Sequence, residues 1–95
     1  MTAYVILIRD KMIDAEAFAA YGAKAKVARE GHAITPRAYY GRHEVLEGLD
    51  AEGVVILEFP TFEEAQAWYH SPAYQDALQD RLKGAEYRVL IVDGV

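Results

Sequence analysis

Arg37, Tyr39 and His43 fall at even spacing within a stretch of strand-like character. Residues two apart share a face of an uninterrupted strand, so a cation, a phenol and an imidazole would stand together. Such a trio suits an anionic or enolisable substrate whose proton must move. The plainer reading is an exposed strand edge meeting solvent, and a bulge at Gly41 would break the parity. His70 lies between Tyr69 and Ser71, where two helical segments join. Its imidazole, with an ordinary pKa of roughly 6.5, suits a general base, or a surface histidine facing the last carbonyls of a helix. Trp68, Tyr69 and Tyr74 suit an aromatic pocket for a planar ligand, and equally a core or subunit interface. Arg81 would hold a substrate carboxylate or form a structural ion pair with Glu58.

Other chemistries lack their residues. The chain has no glycine-rich dinucleotide fingerprint, P-loop, His-Glu-x-x-His or nucleophile elbow. It has no cysteine, which removes disulfides, thiolate metal sites and a thiol nucleophile. His43 and Glu44 with Glu47 carry no ligand spacing tied to a secondary-structure period, so no metal site is expected. Haem would require a histidine at a pocket, and His70 is the candidate to test; the expectation is that no cofactor is used. The net charge is −5 and the ten Lys and Arg are scattered. Nucleic acid, which demands a clustered basic face, is therefore an unexpected partner.

The elements that must position these residues alternate two periods. Residues 3–9 are an apolar, β-branched run of strand length. Residues 14–30 read as a helix with Asp14 at the N-cap, a stripe of Phe18, Tyr21, Ala25 and Ala28, and Gly31 at the C-terminal stop. Thr35-Pro36 argues against a regular central strand at that point, and residues 37–46 read as a strand bent at Gly41. Residues 49–53 form a polar turn, and 54–59 a strand. Thr61 and Glu64 make a capping box for a short helix running through Trp68 and Tyr69. Ser71-Pro72 restarts it, with Tyr74, Leu78 and Leu82 following before Gly84 ends it. Residues 87–92 are the last strand. The order is β-α-β-β-α-β, a ferredoxin-like α+β fold with two helical segments on one face of an antiparallel sheet, in one domain over residues 1–95.

Ninety-five residues bury a thin core. Yet Tyr4-Val5-Ile6-Leu7-Ile8, Val54-Val55-Ile56-Leu57 and Val89-Leu90-Ile91-Val92 are apolar on both strand faces, whereas a half-solvated antiparallel strand alternates. Two helices cover one face, and a second copy of the chain is the expected cover for the other. No stretch approaches the roughly 20 apolar residues of a bilayer span, and the N-terminal residues lack the features of a secretory signal. A cytoplasmic protein without a membrane partner is expected.

Glu58-Phe59-Pro60 followed by Trp68-Tyr69-His70-Ser71-Pro72-Ala73-Tyr74-Gln75 resembles the DUF1330 family, small bacterial proteins of the dimeric α/β-barrel superfamily. Ala3-Tyr4-Val5-Ile6, Val45-Leu46-Glu47-Gly48, Arg81 and Val92-Asp93-Gly94 extend the resemblance over nearly the whole chain. It implies two ferredoxin-like subunits whose sheets face each other, and a site in a cleft between helices and sheet. The superfamily includes cofactor-free monooxygenases, haem-degrading enzymes, polyketide cyclases and muconolactone isomerase-like proteins; carrying any of these activities over is an analogy of fold. The chain departs from the family at Tyr39-Tyr40-Gly41, where an Arg-Gly-Gly turn is usual, so a pocket shaped by that turn would take a different ligand.

Together these readings describe a homodimer that binds a small aromatic or carboxylated metabolite. If it is an enzyme, it works without a cofactor by proton transfer, as an isomerase, cyclase or decarboxylase. His70 would be the proton shuttle, Tyr39 and Tyr74 orienters, and Arg37 or Arg81 the anion clamp, with His43, Trp68 and Tyr69 beside them. The competing readings are a non-catalytic ligand-binding or stress-associated module, a purely structural dimer with no deep pocket, and a cofactor-free monooxygenase.

Overall fold

The computed structural model describes residues 1–95. Strand β1 (Ala3–Met12) leads into helix α1 (Ala15–Ala28), then strands β2 (Thr35–Tyr39) and β3 (Gly53–Phe59). Helices α2 (Phe62–Tyr69) and α3 (Pro72–Gly84) follow, and β4 (Ala85–Asp93) closes the chain. The four strands form an antiparallel sheet in the order β2-β3-β1-β4. This is the β-α-β-β-α-β order with its second helix in two pieces.

The helix ends follow the sequence chemistry. Asp14 Oδ1 accepts from the N–H groups of Glu16 and Ala17, satisfying donors that the first turn leaves free. The Glu64 N–H donates to Thr61 Oγ1 at 3.1 Å. Ser71 Oγ accepts from the Tyr74 N–H and donates to the Trp68 carbonyl at 2.7 Å. One hydroxyl thus ends α2 and starts α3, with Pro72 at a first-turn position whose missing N–H costs nothing. At the end of α3, a side-chain carbon on Gly84 would lie 2.6 Å from the Phe18 backbone nitrogen. Only glycine lets α3 approach α1 there.

The helices cover one face of the sheet. Val5, Leu7, Val55, Leu57 and Phe59 are buried beneath them with Trp68, Tyr74, Ala77 and Leu78. The register aligns Ile6 with both Ile56 and Leu90, and Tyr4 with Val92, on the opposite face. No element of the chain covers that face: Leu90 and Val92 are exposed, while Ile6, Ile8, Val54 and Ile56 are shielded only by their neighbours. Both strand faces are therefore apolar, as their sequences require.

The second strand differs from its expected course. It spans Thr35–Tyr39 rather than 37–46, and Thr35-Pro36 belongs to it. Proline is tolerated because β2 lies at the sheet edge, where one side of the strand needs no ladder donor. The strand ends at Tyr40, whose φ of 53° is left-handed, one residue before the expected bend at Gly41. A register shift between Pro36 and Ala38 also breaks the parity of Arg37 and Tyr39.

Candidate functional site

A cavity of about 380 Å³ lies between α1 and the sheet. Its helical wall is Phe18, Tyr21, Gly22, Ala25, Lys26 and Arg29, spaced by three and one as a single helix face demands. The sheet supplies Leu7, Val55 and Leu57, Trp68 enters from α2, and Tyr39 and Tyr40 stand at the end of β2. The volume exists because the middle of the helical wall is small. A side-chain carbon placed on Gly22 would meet no atom within 4 Å.

Two tyrosine pairs and two arginines lie against this wall. The hydroxyls of Tyr21 and Tyr74 share a hydrogen bond at 2.9 Å, and those of Tyr40 and Tyr87 share another. Arg9 lies over the rings of Phe18 and Tyr40, with its guanidinium carbon 5.1 and 4.9 Å from their centroids. It also meets Glu52 at 3.4 Å. Arg81 is only 4% exposed. Its guanidinium carbon lies 5.0 Å from the Tyr87 centroid and 5.9 Å from that of Tyr21, it forms no ion pair, and its Nε has no hydrogen-bond partner. Ring faces return about 0.5–2 kcal/mol to a cation. Removing a cation from water costs several kcal/mol, so the ring faces alone do not repay the burial of Arg81.

Burial pushes the Tyr21 phenol far above its ordinary value, and the neighbouring Tyr74 adds to the rise. Tyr87 is raised by burial and by its bond to Tyr40. Burial also raises Tyr40 against the opposing effects of Tyr87 and Arg9, and Tyr74 against those of Tyr21 and Arg81. All four stay protonated near neutrality, so none is a base, and in each pair one hydroxyl donates to the other.

The expected site residues separate into three groups. Trp68 and Tyr39 line the cavity. Tyr74 and Arg81 are buried beside it through Tyr21. Arg37, His43, Tyr69 and His70 lie outside its lining. The shared face of Arg37, Tyr39 and His43 does not form. The bulge sends Arg37 to the uncovered sheet face, where Nε donates to Glu58 at 3.0 Å. His43 sits in the irregular segment after β2, with Nε2 2.9 Å from the Ala51 carbonyl. The expected Arg81–Glu58 pair is likewise absent, because Glu58 faces away from the helices and bonds Arg37. His70 is an exposed residue at the C-cap of α2, edge-on to Tyr69. Tyr69 is half-buried, and its carbonyl accepts from Gln75 Nε2. No three histidine or carboxylate side chains converge as a metal site.

Sequence reasoning passed over Tyr21, Tyr40, Tyr87, Lys26, Arg29 and Arg9. Tyr21 was visible as part of the apolar stripe of α1, and Gly22 and Ala25 beside it were the signal that this stripe would not fill its space. Tyr40 was visible at the turn where the resemblance breaks. Its ring needs Gly53 beneath it: a carbon added there would approach Tyr40 Cδ1 to 2.5 Å.

A family model described as a domain of unknown function, DUF1330, matches residues 2–95. No curated protein matches the chain. Among solved structures, a protein of unknown function from Rhodopseudomonas palustris is 20% identical, with a TM-score of 0.70 over 99% of this chain and 82% of that one. A dimeric ferredoxin-like protein of unknown function from Jannaschia sp. is 13% identical, with a TM-score of 0.68 over 99% and 100% of the two chains. SnoaB, a cofactor-independent oxygenase from Streptomyces nogalater, is 11% identical, with a TM-score of 0.61 over 99% and 92%. At these identities the likeness is one of ferredoxin-like fold. The chain belongs to the DUF1330 family.

Proposed function

We propose that this member of the DUF1330 family is a cytoplasmic homodimer that binds a small planar metabolite between α1 and the sheet. The observation that carries this reading is the 380 Å³ cavity itself, walled by apolar and aromatic side chains with phenols at its edge. That is the composition of a small-molecule site: apolar area for affinity and a few polar groups for orientation. Dimerisation is supported by the uncovered apolar sheet face and by the fold shared with a solved dimeric protein.

The site's chemistry is one-sided. Protonated phenols with arginines behind them stabilise an oxyanion, which is the electrostatic half of a cofactor-free proton transfer. The lining contains no histidine or carboxylate to take the proton, and His70 faces solvent away from it. Binding, with any turnover resting on oxyanion stabilisation, is what this geometry supports.

Trp68 is the sole tryptophan, so its indole N–H gives one resonance that reports on the cavity. In titrations with a library of planar aromatic metabolites, that resonance is expected to shift with binders and to stop responding in Gly22→Leu, which obstructs the volume. Chromatography of the recovered binder separates a binding module, which returns it unchanged, from an enzyme. No response to any library member would sink the reading. For the dimer, Ile56→Asp is expected to give a folded monomer in light scattering, whereas Val55→Asp, on the covered face, unfolds the chain.

A further inference from the structure

We infer that the ligand of this cavity is a planar organic carboxylate, held at its charged end by Lys26 and Arg29. The inference rests on the reading of the cavity as a ligand site and names the class of molecule it takes. Lys26 and Arg29 are the only charged side chains in the lining, and both are cations in a chain whose net charge is −5. Neither forms an ion pair. Lys26 lies in the last turn of α1 and Arg29 at its C-cap, three residues on, so both project from the same side. The helix wall directly before them is Ala25 and Gly22, which leaves the apolar volume open up to the two cations.

The aromatic wall reinforces the same sign. Arg9 backs Phe18 and Tyr40, and Arg81 backs Tyr21, in each case through the ring face. Arg81 has no carboxylate of its own chain to neutralise it, so its field reaches the cavity through Tyr21. The lining cations are donors only, the lining phenols donate or accept, and an ionised carboxylate is acceptor-only. A guanidinium matches the two oxygens of a carboxylate as a fork. The flat apolar remainder of the molecule fits against Leu7, Val55 and Leu57 with Trp68 at its edge. A neutral amide of the same shape offers those two cations no opposite charge and one acceptor oxygen in place of two.

Calorimetry with 2-naphthoate and with 2-naphthamide, which share the ring system and differ in charge, tests the inference. The carboxylate is expected to bind about tenfold tighter or better, since one charge-assisted contact is worth at least that factor. The preference should shrink with added salt. In Lys26→Gln/Arg29→Gln it should fall to about threefold or less, and in Lys26→Glu/Arg29→Glu it should reverse toward 2-naphthylmethylamine. Lys26 is exposed and Arg29 half-buried, so the fold should survive these substitutions, which circular dichroism checks. Equal binding of 2-naphthoate and 2-naphthamide to the unaltered protein would overturn the inference while leaving the cavity reading intact. Binding of neither compound, with the Trp68 resonance also unmoved, would overturn both. A carboxylate preference that survives in the doubly substituted protein would show that these two residues do not carry it.

Discussion

The inner face of the sheet is filled on one side and open on the other. Under α2 and α3, Trp68 lies 4.2 Å from Tyr74 and 5.4 Å from Phe59, centroid to centroid, and both Tyr74 and Phe59 are essentially inaccessible. Under α1 the same sheet face looks into a 380 Å³ cavity. The backbone layers are alike, a helix over strands in each case. What differs is the helix face: α2 and α3 lower a tryptophan and a tyrosine onto the sheet, whereas α1 presents Gly22 and Ala25 at its centre. In a close-packed interior the small side chains at the middle of α1 leave this space unfilled.

The sharpest way to break the comparison is to remove the same ring from each half. Phe59→Ala should cost about 3–5 kcal/mol, the usual loss for a buried aromatic in a close-packed core. Phe18→Ala, on the cavity wall and only half-buried, should cost about half as much, because that ring already faces open space and its removal creates less new void. Denaturant midpoints measured on the two variants decide it. Equal losses would mean that the α1 side closes over its ligand site in solution.

Alkali tests the boundary between the halves, where Tyr21 and Tyr74 share their hydrogen bond. Burial raises both phenols above the ordinary value of 10.0. Below that value both states carry the proton and the stabilisation is complete. Above it the unfolded chain loses protons that the fold retains, so the unfolded state is favoured. Each such phenol should remove about 1.4 kcal/mol of stability per pH unit. Chemical denaturation at pH 9, 10 and 11 should show a plateau followed by a fall. A flat profile to pH 11 would mean that these hydroxyls are open to solvent. At neutral pH the companion change, Tyr21→Phe, should cost about 1–2 kcal/mol, because it removes the hydrogen-bond partner of the fully buried Tyr74 hydroxyl.

How far this was legible in the sequence depends on the range of the determining interaction. The caps at Asp14, Thr61 and Ser71 involve residues within three positions of one another, so local spacing defines them. The two apolar faces of β1, β3 and β4 could be read from the missing alternation alone. Between Pro36 and Gly53 local pattern failed, because the end of β2 depends on the tertiary seat of Tyr40 against Gly53 and Arg9. The contacts around the cavity are long-range in the same way. Arg81 and Tyr87 meet across the interface of α3 and β4, and Arg37 was drawn away by a bulge that no period announces. Tyr39 and Tyr40, where the chain departs from the resemblance, both line the cavity.

The smallest expected effect carries the opposite sign from the others. Glycine inside a helix is unfavourable relative to alanine by roughly 0.5–1 kcal/mol, because its backbone surrenders more freedom on folding. Gly22 sits inside α1 with helical rather than left-handed geometry, and a methyl group there meets nothing within 4 Å. Gly22→Ala should therefore stabilise the protein by about that amount while trimming the cavity. Measured together, thermal midpoint and affinity for 2-naphthoate should move apart, stability rising and binding weakening or holding. A loss of stability would show that α1 approaches the sheet more closely than the structure places it. A gain of stability with lost binding would identify Gly22 as the position where this helix gives up its own stability to leave room for a ligand.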